Sequence, residues 1–218
     1  MAAAERFYSQ LGQDRFIYEK YFQLRAHHGI FVDVGASDGV TISNTLFFEE
    51  TLGWTGLCIE PLPSEFEKLK ARRKVPCLNC AVADTNGTAD FLEIELGDAE
   101  KAHSGLKASY DLRHLISVRA NNAIIREIKV EARRLGDILS EHGLQTIDYI
   151  SIDTEGSEWK IVRDLDFKRY DIRAMSVENN YQNEQLRQYL AAAGYTLVQI
   201  FGGYDDLYIK RSLLAGSR

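Results

Sequence analysis

The sequence predicts an α/β fold: a doubly wound, mostly parallel sheet with a terminal antiparallel strand. Three observations predict it. Ile30 to Val34 and Gly56 to Ile59 are short apolar runs of the kind buried in parallel sheets, with a helical pattern between them. Gly35 and Gly39 break the chain directly after the first run, where a backbone turns tightly at a strand's carboxyl end. Tyr195 to Phe201 and Asp206 to Lys210 flank Gly202-Gly203 and read as an antiparallel hairpin.

The intervening elements follow in order. A helix is expected over Ser43 to Glu50, and Ser64-Glu-Phe-Glu67 is a capping-box pattern opening a helix to about Lys74. A strand spans Val75 to Val82, and Asn86-Gly87 signals a tight hairpin into Thr88 to Leu96. Residues 97–127 are polar and poorly periodic, which in a strongly patterned chain suggests a substrate-side insertion. Strand Ile128 to Ala132 and helix Leu135 to His142 come next, the helix closed by Gly143. Ile147 to Ile152 is a buried strand, followed by a helix carrying Trp159, Val162 and Leu165. Strand Ile172 to Val177 and helix Asn183 to Ala193, closed by Gly194, complete the pattern before the final hairpin.

At 218 residues and 45% hydrophobic content, the chain can bury one full core, so a single domain over 1–218 is expected, with an N-terminal helical segment at 1–28. A net charge of −6 gives no general attraction for nucleic acid. The run Lys68-x-Lys70-x-Arg72-Arg73-Lys74 reads as the solvated face and end of a helix. Cys58, Cys77 and Cys80 form no even disulfide framework and suit a reducing, cytoplasmic location. Cys77 and Cys80 have C-x-x-C spacing, but strand alternation turns them to opposite faces and no second ligand pair accompanies them, which argues against zinc. Neither a signal-peptide pattern nor an apolar run of the roughly 18 residues a membrane span needs is present.

The glycine turn also indicates a ligand. Glu60 follows Gly39 by 21 residues at the end of the second strand, where a carboxylate accepts hydrogen bonds from both ribose hydroxyls of a nucleoside. The loop is Asp33-x-Gly35-x-x-x-Gly39, not the G-x-G-x-x-G that seats a pyrophosphate on a helix N-terminus. A leading carboxylate repels phosphate and attracts an ammonium group. S-adenosylmethionine, with an amino group, a ribose and no phosphate, therefore fits better than NAD.

Several motifs together resemble the FkbM family of S-adenosylmethionine-dependent methyltransferases over nearly the whole chain. They are Ser9-Gln-Leu-Gly-Gln-Asp14, Phe31-Val-Asp-Val-Gly-Ala-Ser-Asp-Gly39, Ser43-Asn-Thr45, Gly53-Trp-x-Gly56, Ile59-Glu-Pro61, Asn79-Cys-Ala-Val82 and Ile152-Asp-Thr-Glu-Gly-Ser-Glu158. The resemblance implies a Rossmann-like class I methyltransferase fold and O-methyl transfer, commonly onto a hydroxyl of a sugar or of a glycosylated or polyketide product. The chain departs from many relatives in having Ile152, not Lys, before Asp153.

In an open α/β sheet ligands bind beyond the strands' carboxyl ends, which selects the candidate residues. Asp33 and Gly35, with Ala36, Ser37 and Gly39 of the same loop, are expected at the methionyl end of the cofactor. Glu60 and Pro61 are expected at its ribose, Ala81 to Asp84 at its adenine, and Asp153 is a further expected cofactor contact. Ser43 and Asn44 either hold the cofactor carboxylate or, for Ser43, cap a helix. The family-like motif around Gln13 suggests that the N-terminal segment folds over the cofactor.

Asp153 ends one strand and Glu178-Asn179 ends the next, an arrangement that resembles the magnesium site of catechol-type O-methyltransferases. Their oxygen donors suit Mg²⁺ or another divalent cation, which would lower the pKa of an acceptor hydroxyl. The alternative is that Asp153 and Glu155 only cap the following helix. Glu155, or His103 or His114 from the insertion, is the candidate general base. The expected partner is a small-molecule or glycan acceptor. A binding protein of the same fold without turnover is the rival from another class, and an NAD-dependent reductase is opposed by the loop chemistry.

Overall fold

The computed structural model describes residues 6–22, 28–96, 103–110 and 112–214, excluding the side chains of 112–114. The N-terminal segment forms α1 (Gln13–Ile17), which continues as a π-helical turn, Tyr18–Phe22. The apolar runs then form β1 (Ile30–Val34), α2 (Leu46–Glu50), β2 (Thr55–Ile59) and α3 (Pro63–Arg72). Short strands β3 (Cys77–Leu78) and β4 (Ala81–Ala83) precede β5 (Gly87–Glu95) and β6 (Gly105–Leu106). A 3₁₀ turn, Lys107–Ser109, leads to α4 (Leu112–Ala120) and β7 (Ile124–Arg134). The rest comprises α5 (Leu135–Glu141), β8 (Thr146–Ile152), α6 (Glu158–Asp164), β9 (Asp171–Glu178), α7 (Glu184–Ala192), β10 (Tyr195–Phe201), β11 (Asp205–Lys210) and α8 (Arg211–Leu214).

Seven strands make the main sheet in the order β10-β11-β9-β8-β1-β2-β3. β3, β2, β1, β8 and β9 run parallel, while β11 pairs antiparallel with both β9 and β10. Strand alternation divides the core between two faces. Val32, Val34, Leu57, Ile59, Ile150 and Ile152 pack with α5, α6 and α7, whereas Phe31, Cys58, Tyr149 and Ala174 pack with the N-terminal helical segment, Phe47 and Phe48 of α2, and Leu69 of α3. Helices on both faces make the sheet doubly wound, as the sequence predicts.

Local expectations fail where partner choice is non-local. The strand expected over 75–82 is two strands in two sheets. Cys77 and Leu78 pair with Cys58 and Ile59, and Asn79 Nδ2 then donates to the carbonyls of Glu60 (2.8 Å) and Pro61 (3.1 Å), turning the chain away before Ala81. β4 joins a second, four-stranded sheet of order β4-β7-β5-β6. Asn86-Gly87 is consequently no tight hairpin between paired neighbours, because β7 lies between β4 and β5 and Ala132 pairs with both Ala81 and Gly87. Asn86 instead anchors the β7–α5 junction, accepting from the Arg134 N–H at 2.8 Å and donating to Asp137 at 2.7 Å.

Two helix starts also differ from expectation. α3 begins at Pro63, whose fixed φ suits a first helical position, so the N-cap is Leu62 and Ser64 lies exposed within the helix. α2 begins at Leu46, because Ser43 Oγ accepts the N–H groups of Thr45 (3.3 Å) and Leu46 (3.1 Å) ahead of it. Within the expected insertion at 97–127, the described residues form β6, the 3₁₀ turn, α4 and the first part of β7. β6 and the 3₁₀ turn are too short to leave a clear period in the sequence, and among the described side chains of α4 the buried one is Val118. Residues 97–102 and 111 lie outside the described residues.

Candidate active site: a glycine-loop cavity joined to an acidic cluster

A cavity of about 250 Å³ opens at the carboxyl ends of β1, β2 and β8, and Phe91 and Leu106 of the second sheet cover it. Of the residues expected to bind cofactor, Asp33, Gly35, Ala36, Ser37, Ser43, Asn44, Glu60, Pro61, Ala81 and Asp153 line it. Gly39, Gln13 and Asp84 do not. Gly39 packs under Leu69 and Arg73, Gln13 Nε2 donates to Asp205 (2.8 Å), and Asp84 pairs with Arg163 (3.2 Å) beside a second cavity.

Glu60 is held as a ribose reader would be. Its Oε2 accepts from the Ser37 N–H and its Oε1 from the Leu62 N–H, both at 2.8 Å, and each oxygen keeps a further lone pair. Burial pushes its pKa up to about 7, against the lowering effect of those two N–H groups. Asn44 donates to Ser151 Oγ at 3.0 Å, while its buried Oδ1 has no partner among the described residues. An orphaned acceptor on a cavity wall fits a ligand carrying an ammonium or hydroxyl donor.

The two loop glycines have separate causes. At Gly35 (φ +85°) a Cβ would stand 1.7 Å from the Asp153 carbonyl oxygen, so this glycine lets the ends of β1 and β8 touch. At Gly39 (φ +79°) a Cβ would meet Leu69 Cδ1 at 2.6 Å and Arg73 Cγ at 2.9 Å. Ser37, Ile42 and Glu155 line the same cavity with φ of 49°, 50° and 57°. Left-handed backbone is costly for non-glycine residues and concentrates at functional sites.

At the cavity's β8 side, Asp153, Glu155 and Glu178 bring one carboxylate oxygen each within 4.8 Å of one another. Burial first, then mutual repulsion, raises Asp153 and Glu178 well above the usual carboxylate range, even though Asp153 keeps access to solvent through the cavity. Asp205 nearby is pushed up to about 6, chiefly by burial. Glu155 Oε2 and Glu178 Oε2 are buried without a partner among the described residues. Three clustered acids, two of them buried with unused oxygens, suit a hard divalent cation.

Of the expected ligands Asp153, Glu178 and Asn179, the two acids lie in this cluster together with Glu155. Asn179 beside them is also bonded elsewhere: its Nδ2 donates to Asp206 at 2.9 Å and its Oδ1 accepts the Asn183 N–H at 2.6 Å. Capping before α6 also falls to a different residue. Glu158 Oε1 accepts from Thr154 N–H (2.8 Å), Thr154 Oγ1 (2.7 Å) and Gly156 N–H (3.1 Å), leaving Asp153 and Glu155 free of that role.

Among the base candidates, His103 Nδ1 stands 3.6 Å from Glu155 Oε1 with its side chain 41% exposed. His114 is on α4, and its side chain lies outside the described residues. The 105–109 segment closes against the Glu155 loop: Gly105 lies under Glu155 Cβ and the Thr154 carbonyl, and Ser157 Oγ donates to Ser109 Oγ at 2.9 Å.

The sequence reading missed Arg73, whose side chain is fully buried beside Asp33 and Glu49. The signal was available: Arg73 lies four positions after Leu69 and eight after Glu65, on the inward face of its helix. Asp205 was missed because its partner Gln13 comes from a distant chain segment, and Glu158, bonded locally to Thr154 and Gly156, was quoted only within its motif.

The family model described as "Methyltransferase FkbM domain" matches residues 33–197. No curated protein sequence matches the chain. A solved FkbM methyltransferase from Methylobacillus flagellatus superimposes with a TM-score of 0.51 at 14% identity, over 84% of this chain and 43% of that one. The METTL16 methyltransferase domain gives a TM-score of 0.48 at 11% identity, over 89% and 64% of the two chains. The chain thus spans less than half the length of the first of these proteins, and the likeness is one of fold. Among the described residues no helix is long and apolar enough to cross a membrane.

Proposed function

The chain belongs to the FkbM methyltransferase family, and from that premise we propose that it transfers a methyl group from S-adenosylmethionine to a hydroxyl of a sugar, glycan or glycosylated metabolite, assisted by a divalent cation. One observation carries this reading: Asp153 and Glu155 belong both to the cavity wall and to the acidic cluster. A nucleoside seated against Glu60 therefore shares its cavity with oxygen ligands suited to a metal and an acceptor.

When bound, the cofactor supplies a sulfonium methyl and the cation lowers the pKa of the acceptor hydroxyl. The chain's own residues bind, orient and deprotonate. Glu60, fixed by Ser37 and Leu62, accepts from the ribose hydroxyls. Asn44 Oδ1 accepts from a donor at the methionyl end. Asp153, Glu155 and Glu178 would hold the cation. His103, beside Glu155 and open to solvent, takes the hydroxyl proton and passes it to water.

Charge supports the ligand classes. Asp33, Asp38, Glu60, Glu65, Asp153 and Glu155 line the cavity, and the lining cation Lys68 is already paired with Glu65 at 2.9 Å. Even with burial raising the pKa of Glu60 and Asp153, the wall offers no unpaired cation among the described residues, which disfavours a pyrophosphate cofactor and an anionic acceptor and suits a sulfonium and an uncharged hydroxylated acceptor. The test is turnover of labelled S-adenosylmethionine against free sugars, glycans, sugar phosphates and nucleotide sugars, with and without chelator. Methylation of neutral sugars that chelator abolishes is expected. No turnover on any hydroxylated acceptor, despite tight cofactor binding, would favour a non-catalytic binding role.

A further inference from the structure

We infer that Arg73 is the positioning residue of the cofactor loop: without touching the cavity, its guanidinium holds residues 35–45 in their binding-ready shape. The inference rests on the adenosyl reading of the cavity. Arg73 belongs to a run of basic residues whose other members, Lys68, Lys70, Arg72 and Lys74, are exposed. Its own side chain is 0% exposed. As the residue closing α3 it leaves helical geometry (φ −90°, ψ 146°), and its side chain runs inward under the loop.

The contacts fall at the middle and the end of the loop. Nη1 donates to the Gly39 carbonyl at 3.2 Å and lies 3.4 Å from Ser43 Oγ. Nη2 donates to Thr45 Oγ1 at 2.8 Å, and that hydroxyl donates to Asp33 Oδ2 at 2.5 Å. Nε donates to Glu49 Oε2 at 2.5 Å, and the guanidinium carbon lies 5.2 Å from the Phe31 ring centre. One planar group thus ties the end of β1, the loop and the start of α2 together. Together with Leu69 Cδ1, the Arg73 stem also occupies the space a Cβ on Gly39 would need, so this placement of the arginine requires glycine there.

A lysine cannot reproduce this arrangement, because a point charge offers three converging donors where a rigid five-donor fork is used. Neutralising the charge is not the whole role either, since Asp33 and Glu49 both face the one guanidinium. Its geometry fixes where Ser37 presents its N–H to Glu60, two residues that do line the cavity. A loop held in its bound shape before the ligand arrives saves the ordering cost on binding.

The test uses Arg73→Lys in the full chain, with S-adenosylhomocysteine affinity by calorimetry and amide hydrogen exchange of the ligand-free protein as readouts. The expected result is a loss of affinity of about tenfold or more, with faster exchange at Ser37, Val40 and Thr41 and unchanged exchange in β8 and β9. A purely structural role would instead raise exchange evenly across the sheet and leave the affinity of the folded protein unchanged, and that result overturns the inference. Should Arg73→Lys fail to fold, Thr45→Val removes the hydroxyl linking Arg73 to Asp33 and leaves the Glu49 pair intact. The same two readouts decide, and wild-type affinity and loop exchange in Thr45→Val overturn the inference. Wild-type protein that binds no S-adenosylhomocysteine refutes the adenosyl reading separately, while loop exchange in the variant still decides the positioning role.

Discussion

The Ser37 N–H donates to Glu60 Oε2 at 2.8 Å, so the carboxylate we propose as the ribose acceptor also latches the glycine loop that walls the cavity. On that proposal, binding and loop conformation are linked through one side chain.

Replacing Glu60 with Ala removes the ribose acceptor and the latch together. Hydrogen bonds to charged groups contribute roughly 1.5–3 kcal/mol each where buried, so affinity for S-adenosylhomocysteine should fall at least about tenfold. NAD should bind neither form. A folded Glu60→Ala protein with unchanged affinity in calorimetry would remove Glu60 from the ribose site.

Cofactor affinity should rise with pH as Glu60 ionises through about 7, since a carboxylate accepts from both hydroxyls and a carboxylic acid does not. Stability of the ligand-free protein should move the other way. With a folded-state pKa raised from 4.5 to about 7, Glu60's contribution is fully present below 4.5 and is lost as pH rises through about 7. Glu60→Gln should flatten that part of the stability profile in denaturant titrations. An identical profile in wild type and variant would mean that Glu60 titrates normally.

The acidic cluster predicts stabilisation by metal. Mg²⁺ or Mn²⁺ alone should raise the melting temperature through binding to the folded state, and Asp153→Asn or Glu178→Gln should abolish the increment. Asn179→Ala should keep the metal response, because Asn179 is spent on Asp206 and Asn183. Full turnover in excess chelator would leave the three acids as hydrogen-bonding groups for the acceptor.

Gly35→Ala should be among the most damaging single changes. The added Cβ meets the Asp153 carbonyl at 1.7 Å in backbone with φ +85°, so both overlap and strain oppose it. A loss of more than about 3 kcal/mol is expected. Gly53→Ala is the control, having positive φ (+66°) with nothing within 4 Å, and should cost about 1 kcal/mol. Equal losses in the two variants would refute the close contact between β1 and β8.

Periodicity and local chemistry determined much of this protein. Buried parallel strands announce themselves by continuous apolar runs, so Ile30–Val34 and the terminal Gly202-Gly203 hairpin were legible, as were the glycine loop and Glu60 at its spacing. Tertiary structure alone decided the partners. β7 enters between β4 and β5 from some forty residues downstream, so Asn86-Gly87 looked like a hairpin turn without being one. Arg73 belongs to a charged run by sequence and to the core by contact, because two carboxylates and a carbonyl await it inside. Glu155 joins Asp153 and Glu178 because the turn after β8 brings its carboxylate back against the end of β9. Local pattern reports which face a residue presents, whereas the bonds it makes there depend on what distant segments bring to meet it.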